Sequence, residues 1–439
     1  MKKLPTRDPC PKGSGVNRFA RFGLLLLSLG FVLEACSAQK TIEVYNPSGI
    51  RQDEIYVDRL IVKEMAEVKR YTPPLAAQFP EVRIEKISVS RDAYEEVNEL
   101  FYKRGWTDGL PIVPPTRERV KEMLKGTDLP PGQLIGVVES VRGRATVEKV
   151  AVNAVMAGCR PEYLPIIIAA VEGVTDGSFN MLGVQTTDES VAPLLIVNGP
   201  IARELNINGS FGLLGPGRQA NASIGRAIRL IMNNIGGGWP GLISQAATGH
   251  PGRYTLCFAE NAGKSPWEPL HVELGYGKEV NTVTVMRAES IVNVTGGLAE
   301  LASVMGSLTS AFSVRHGGKV AVIVSPYVAS DLAAKGWTKK DVKRYLYENG
   351  RIPVSQFKKS WGHLTSGMPE SVRAFEKEGA VPIVRSPDDI TVIIAGGDLS
   401  IPQHVYFPTW GGPFRMTKEV KLPAQWQNLV HRTGGGLNQ

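Results

Sequence analysis

The residues predict an α/β protein with mixed sheets, built from strand–glycine turn–helix units in two related lobes behind an export leader. Three observations carry this. Runs rich in β-branched residues leave through glycine at 194–200, 289–297 and 388–397, and the last two share an acidic start and a Gly-Gly exit. Residues 220–235 place Ile224, Ala227, Ile228, Ile231, Met232 and Ile235 on one helical stripe, which Gly236-Gly-Gly238 stops. The first 35 residues carry Arg18 and Arg21 ahead of a short apolar run.

That run, residues 22–33, is too short for a bilayer-spanning helix, which needs about 20 residues. It ends in Leu33-Glu-Ala-Cys36, which resembles a bacterial lipobox and predicts membrane attachment through a lipidated Cys36. Ordinary cleavage after Ala38 is the rival. Initiation at Val16 would leave a compact Asn-Arg-Phe-Ala-Arg head before the run. The net charge of +8 is concentrated here, with Lys2, Lys3, Arg7, Lys12, Arg18 and Arg21 against Asp8 and Glu34. The rest of the chain is only mildly basic, and no basic run is interleaved with aromatics, which excludes a nucleic-acid partner. Of four cysteines, Cys159 and Cys257 lie beyond the leader, in apolar surroundings that favour buried free thiols over a disulfide.

Residues 36–90 form a short N-terminal segment. Thr41 to Tyr45 reads as a strand closed by an Asn-Pro turn, residues 53–70 as a charged helix, and residues 82–89 as an alternating strand. The first lobe, 91–285, opens with an amphipathic helix over 91–104, capped by Ser90. Gly105 to Thr116 is too rich in Pro and Gly for regular structure. Its Trp106 and Asp108 either face a cleft or pack a rigid crossover. Helices follow at 117–125 and 147–157, with a strand at 133–141. Residues 164–171 suit a helix or a buried strand. A strand at 192–197 leads to a helix at 201–205. Asn208-Gly-Ser-Phe-Gly-Leu-Leu-Gly-Pro-Gly-Arg218 then feeds the striped helix, and an apolar strand over 254–261 ends on Glu260 and Asn261. The second lobe, 286–416, repeats the strand-to-glycine pattern, and its helix at 338–348 carries a Thr338/Asp341 capping box. Residues 417–439 read as a peripheral tail.

The chemistry is placed at the glycine turns. Main-chain N–H groups at Gly215 and Gly217, with Arg218 and Asn221 at a helix start, suit an anion. The same glycines would equally let a tight loop pack. Asn261, Gly296, Gly297, Gly396, Gly397 and His404 are the further ligand-binding candidates at strand ends. Glu260 and His271 lie near proline-fixed loops, where partial burial would tune them for proton transfer, against a bland reading as turn cap and surface histidine. Cys159, beside Arg160, is a candidate nucleophile against the alternative of a structural thiol. No phosphate loop, nucleophile elbow or zinc motif is present, so no metal is expected and no cofactor is named.

Asp108-Gly-Leu-Pro-Ile-Val-Pro-Pro-Thr116, Val155-Met-Ala-Gly-Cys-Arg-Pro-Glu-Tyr163, Val197-Asn-Gly-Pro-Ile-Ala-Arg-Glu204, Phe258-Ala-Glu-Asn261 with Ser265-Pro-Trp-Glu-Pro-Leu-His271, and Ala395-Gly-Gly397 resemble the large bacterial proteins associated with UGSC-type domains. Ile42 to Gly49 resembles the opening of such a domain, but the Cys/Sec-Gly-Ser-Cys motif is absent. The resemblance therefore implies an architecture and no redox step in this chain. Cys159 is the only matched thiol that could substitute, and a redox partner would have to supply the missing motif. Together these residues lead to an expectation of an exported enzyme acting on a small anionic or thiol-type metabolite. A non-catalytic ligand-binding lipoprotein and a purely structural lipoprotein are the alternatives.

Overall fold

Strand β5 (Ala192–Asn198) is buried at all seven positions, so it must be covered on both faces. The computed structural model, which describes residues 40–47, 84–89, 92–361, 370–410 and 415–432, shows how. One face of β5 meets helices through Leu195 and Val197, which join a core with the helices at Val147–Met156 and Leu164–Val174. The other face, through Ala192, Leu194 and Ile196, meets a second sheet. The architecture is α/β with four layers: helices, sheet, sheet, helices.

The two sheets have the same plan. In the first, β5 runs parallel to β6 (Cys257–Ala259) and antiparallel to β7 (Thr282–Ala288), with β14 (Met416–Glu419) outside β7. In the second, β9 (Val320–Val324) runs parallel to β12 (Ile390–Ile394) and antiparallel to β13 (Gln403–Phe407), with β8 (Val292–Thr295) outside β13. The outer strands are exchanged: β8 follows β7 but joins the second sheet, and β14 follows β13 but joins the first. The two sheets are thus interlocked, each completed by a four-residue strand that follows in the chain on a strand of the other sheet. Their facing surfaces share Ile323, Ile393 and Phe407 with Leu194, Ile196 and Phe258, and the Phe258 and Phe407 rings stack 6.4 Å apart. Each such ring contributes about 1.5–3 kcal/mol by burial.

Several local expectations meet their physical test here. Residues 164–171 are helical, extending to Val174. The glycine-stopped helix spans Gln219–Asn234, and Gly236 to Gly238 donate to the carbonyls of Ile231, Met232 and Asn233. The Thr338/Asp341 capping box opens the helix Lys339–Asn349. Gly105 to Thr116 forms no helix or strand run, and Trp106 packs edge-on against Phe101. The first helix, Ala93–Lys103, is capped by Asp92 rather than Ser90, because the Asp92 carboxylate reaches the amides of Tyr94 and Glu95. The strand expected over 254–261 keeps only Cys257–Ala259. The tail is not peripheral: β14 pairs with β7, and Trp426 is buried in the first core with its indole N–H on Glu204. A sequence scan sees only the polar alternation of Met416 to Glu419, which suits an edge strand as well as a tail. The remaining described strands form three antiparallel pairs: β1 (Lys40–Tyr45) with β2 (Ile84–Val89), β3 (Leu134–Val138) with β4 (Gly143–Thr146), and β10 (Arg351–Pro353) with β11 (Ala380–Pro382). Cys36, the leader, Ser90 and residues 53–70 lie outside the described residues. Among the described residues, no helix is long and apolar enough to cross a membrane.

Candidate functional site

The carboxyl ends of parallel strands are where α/β sheets leave a crevice. Here β5 ends on Asn198 and β6 on Ala259, with Glu260 next. A cleft of about 750 Å³ opens there, lined by Arg203, Gly209, Glu260, Asn261, Trp267 and His271 among others.

Glu260 is buried beneath it. Its Oε2 accepts from Asn198 Nδ2 at 2.7 Å and from the Leu270 amide at 2.6 Å. Its Oε1 accepts from the Ile394 amide at 3.4 Å and lies 3.8 Å from Lys339 Nζ. One carboxylate thereby ties β5, β6, β12 and two helices together. Lys339 in turn donates to the Glu268 carbonyl at 2.7 Å and lies 3.3 Å from Glu273, which Lys343 also engages. Burial pushes the Glu273 carboxyl up, but the two lysines outweigh it and hold it below its ordinary value. With three hydrogen bonds and the Lys339 ammonium converging on two oxygens, Glu260 has little acceptor capacity left for a substrate.

His271 is different. It follows Leu270 on the short helix Leu270–Glu273, so the Glu260 bond to the Leu270 amide fixes its position. It is 2% exposed. Its Nε2 lies 3.2 Å from the Lys278 carbonyl, an acceptor only, so in the neutral ring Nε2 carries the proton. Nδ1 is left with its lone pair, enclosed and without a hydrogen-bond partner among the described residues. A ring pinned through one nitrogen keeps the other's lone pair free, which a general base needs, and a substrate reaches it only where a small side-chain movement opens that enclosed atom to the cleft.

The glycine loops gather on this side but spend their amides on one another. Gly396 donates to the Gly209 carbonyl at 2.8 Å, Asn261 to the Ile394 carbonyl at 2.8 Å, and Ala259 to the Asn208 carbonyl at 3.1 Å. Asn221 holds the turn from inside, accepting from the Asn208 amide and donating to the Asn208 and Leu213 carbonyls. At Gly397 a Cβ would fall 2.4 Å from the Phe211 ring, and at Gly209 2.3 Å from the Ala259 carbonyl oxygen. Close packing accounts for these glycines. Gly215, Gly217 and Arg218 do not line the cleft; the two glycines are exposed, and Gly215 donates to Gly212.

Four candidates, His404, Gly296, Gly297 and Cys159, sit elsewhere. His404 accepts from the Ser325 amide at Nδ1 and donates from Nε2 to the Gly296 carbonyl at 2.9 Å, so both nitrogens are occupied and burial holds its pKa below the ordinary value. Gly297 donates to the Glu300 carboxylate, which caps the helix Leu298–Met305. Cys159 rests against the striped helix with its thiol on the Ser223 carbonyl, and burial pushes its pKa up to about 12. It is a neutral thiol at physiological pH, as Cys257 is by the same cause, and the two remain unpaired.

Sequence reasoning passed over a larger cavity, about 1140 Å³, at the other ends of β5 and β6. Arg229, Asn233, His250 and Arg253 line it with Asp108 and Trp239. The available signal was Arg229, a charge set between Ile228 and Leu230 beside an apolar stripe. Among the described residues, no group of His, Cys, Asp or Glu could hold a metal ion. No family model, curated protein or solved structure matches this chain.

Proposed function

We propose that the protein is an enzyme that moves a proton on a small metabolite bound in the cleft at the ends of β5 and β6. His271 is the group that takes the proton, and Glu260 is a positioning residue that fixes the helix bearing it. The observation that carries this is the buried imidazole that lines the cleft, with Nε2 committed to Lys278 and Nδ1 enclosed with its lone pair unspent. The rim carries Arg203 and Lys278 against Glu268 and Glu279, so a small anionic or thiol-type substrate would be selected by fit more than by net charge. Ligand capture without chemistry is the second reading, favoured by the saturated carboxylate of Glu260.

We also propose kinship with the UGSC-associated proteins on the quoted motifs, and export with membrane attachment through Cys36. Any redox partner belongs to the same proposal. Cys36→Ser that left the protein in the membrane fraction would refute the anchor.

The test is a metabolite panel screened by thermal shift, with hits followed by proton NMR in D₂O. The enzyme reading expects turnover or deuterium incorporation that His271→Gln abolishes while the thermal shift persists. Hits that stabilise the protein with no chemistry in either form establish the capture reading instead.

A further inference from the structure

The larger cavity lies across the sheet from the cleft and belongs to no step proposed above. Arg229 forms part of its wall and is 7% exposed. Its Nε donates to the Arg253 carbonyl at 2.6 Å, but its Nη2 is enclosed without a partner. Asn233, one helical turn on and 5% exposed, likewise leaves Oδ1 unpartnered. The Arg253 guanidinium donates to the Ser244 hydroxyl, at 2.8 Å, its one hydrogen bond among the described residues. Neither guanidinium is paired with a carboxylate among the described residues.

The surroundings do not compensate these charges. Asp108 is the one acidic side chain lining the cavity, and Arg226 already holds it through two 2.8 Å bonds. The carbonyls in the last turn of the helix Gln219–Asn234 are taken by Gly236, Gly237 and Gly238. His250 accepts from the Gly252 amide at Nδ1 and meets the Ala288 carbonyl through Nε2, so it stands as a neutral ring. Burial pushes the Arg229 pKa down to about 9, with Arg253 adding to the effect and the Asp108 carboxylate offsetting only part of it. A desolvated guanidinium whose nearest carboxylate is bonded to another arginine is costly, and its fork matches a carboxylate or phosphate. Trp239 adds an apolar wall beside it.

We propose that this cavity is a second binding site, taking a small molecule with an oxyanion group on an apolar body, and that Arg229 and Arg253 meet its charge. Binding places the oxyanion against the Arg229 fork and the body against Trp239.

The probes are benzoate, its neutral isostere benzamide, and inorganic phosphate, applied to the purified full chain by thermal shift and titration calorimetry. Benzoate or phosphate raises the melting temperature and benzamide does not. Benzoate alone marks a carboxylate ligand, phosphate alone a phosphoryl ligand. Arg229→Gln weakens the responding anion at least tenfold. Asn233→Asp provides a second route should that variant fail to fold: it supplies the missing negative charge, so it abolishes the anion response while matching or exceeding the wild-type melting temperature. His271→Gln leaves the response intact, which separates this site from the cleft. Equal effects of benzoate and benzamide, no response to either anion, or an undiminished response in Asn233→Asp would overturn the proposal.

Discussion

Glu260→Gln isolates the claim that this carboxylate holds the site together and does not perform its chemistry. Three hydrogen bonds and one ion pair converge on it: from Asn198 Nδ2, from the amides of Leu270 and Ile394, and with the Lys339 ammonium. Glutamine keeps the shape but offers a single acceptor oxygen, and its NH₂ must face donors. Whichever way the amide turns, two donors lose their partner. Hydrogen bonds to charged groups contribute about 1.5–3 kcal/mol each, and the weaker contacts at 3.4 and 3.8 Å lie at or below that floor. The expected loss is therefore about 2–4 kcal/mol, read as the shift in unfolding free energy from urea melts at pH 7. Combining it with Asn198→Ala should recover about 1 kcal/mol as coupling, since the two side chains touch at 2.7 Å. A Glu260→Gln variant within about 0.5 kcal/mol of wild type, the range of an ordinary surface change, would refute the reasoning.

Two further outcomes follow from titrating groups. Burial and the neighbouring Glu189 carboxylate push the Glu289 pKa up to about 8. The folded state therefore binds a proton that the unfolded chain releases near its ordinary 4.5, so this contribution is complete below about pH 4.5 and is lost as pH rises through 8. Glu289→Gln should flatten that decline and be more stable than wild type at pH 8 by about 2–4 kcal/mol, measured by urea melts across the range. The Cys159 thiol, raised to about 12, should react with iodoacetamide at pH 7.5 far more slowly than glutathione, followed by mass spectrometry.

What the sequence disclosed, and what it hid, divides along the range of the interactions. Local chemistry was legible. The Thr338/Asp341 cap, the glycine stop after Asn234 and the break at Gly105 to Thr116 each depend on residues within a few positions. The mixed α/β layering followed from repeated strand-to-glycine units. The face-to-face contact of two sheets did not, because β5 is buried on both sides and shows no alternation to betray which face meets what. Nor did the exchange of β8 and β14, each only four residues long and joined to the sheet that the strand before it in the chain does not belong to.

At the site, Glu260, Asn261 and His271 were singled out from their place after an apolar run, and they do share one cleft. Whether a glycine amide is free for a ligand was illegible, since it depends on partners such as Gly209 for Gly396, far away in the chain. His404 shows the same limit. Its two nitrogens are taken by Ser325 and Gly296, neither of them a sequence neighbour. Arg229 was masked by the stripe beside it, because helical periodicity reports which face is apolar and not what a single charge on its border can reach.

The most direct measurement is a crystal structure of the protein with a compound that it turns over. The account predicts that compound in the cleft, with an atom bearing a mobile proton within hydrogen-bonding distance of His271 Nδ1 and the Glu260 bonds to Asn198 and Leu270 unchanged. A compound bound elsewhere, with His271 Nδ1 engaged by a group of the protein itself, would contradict it.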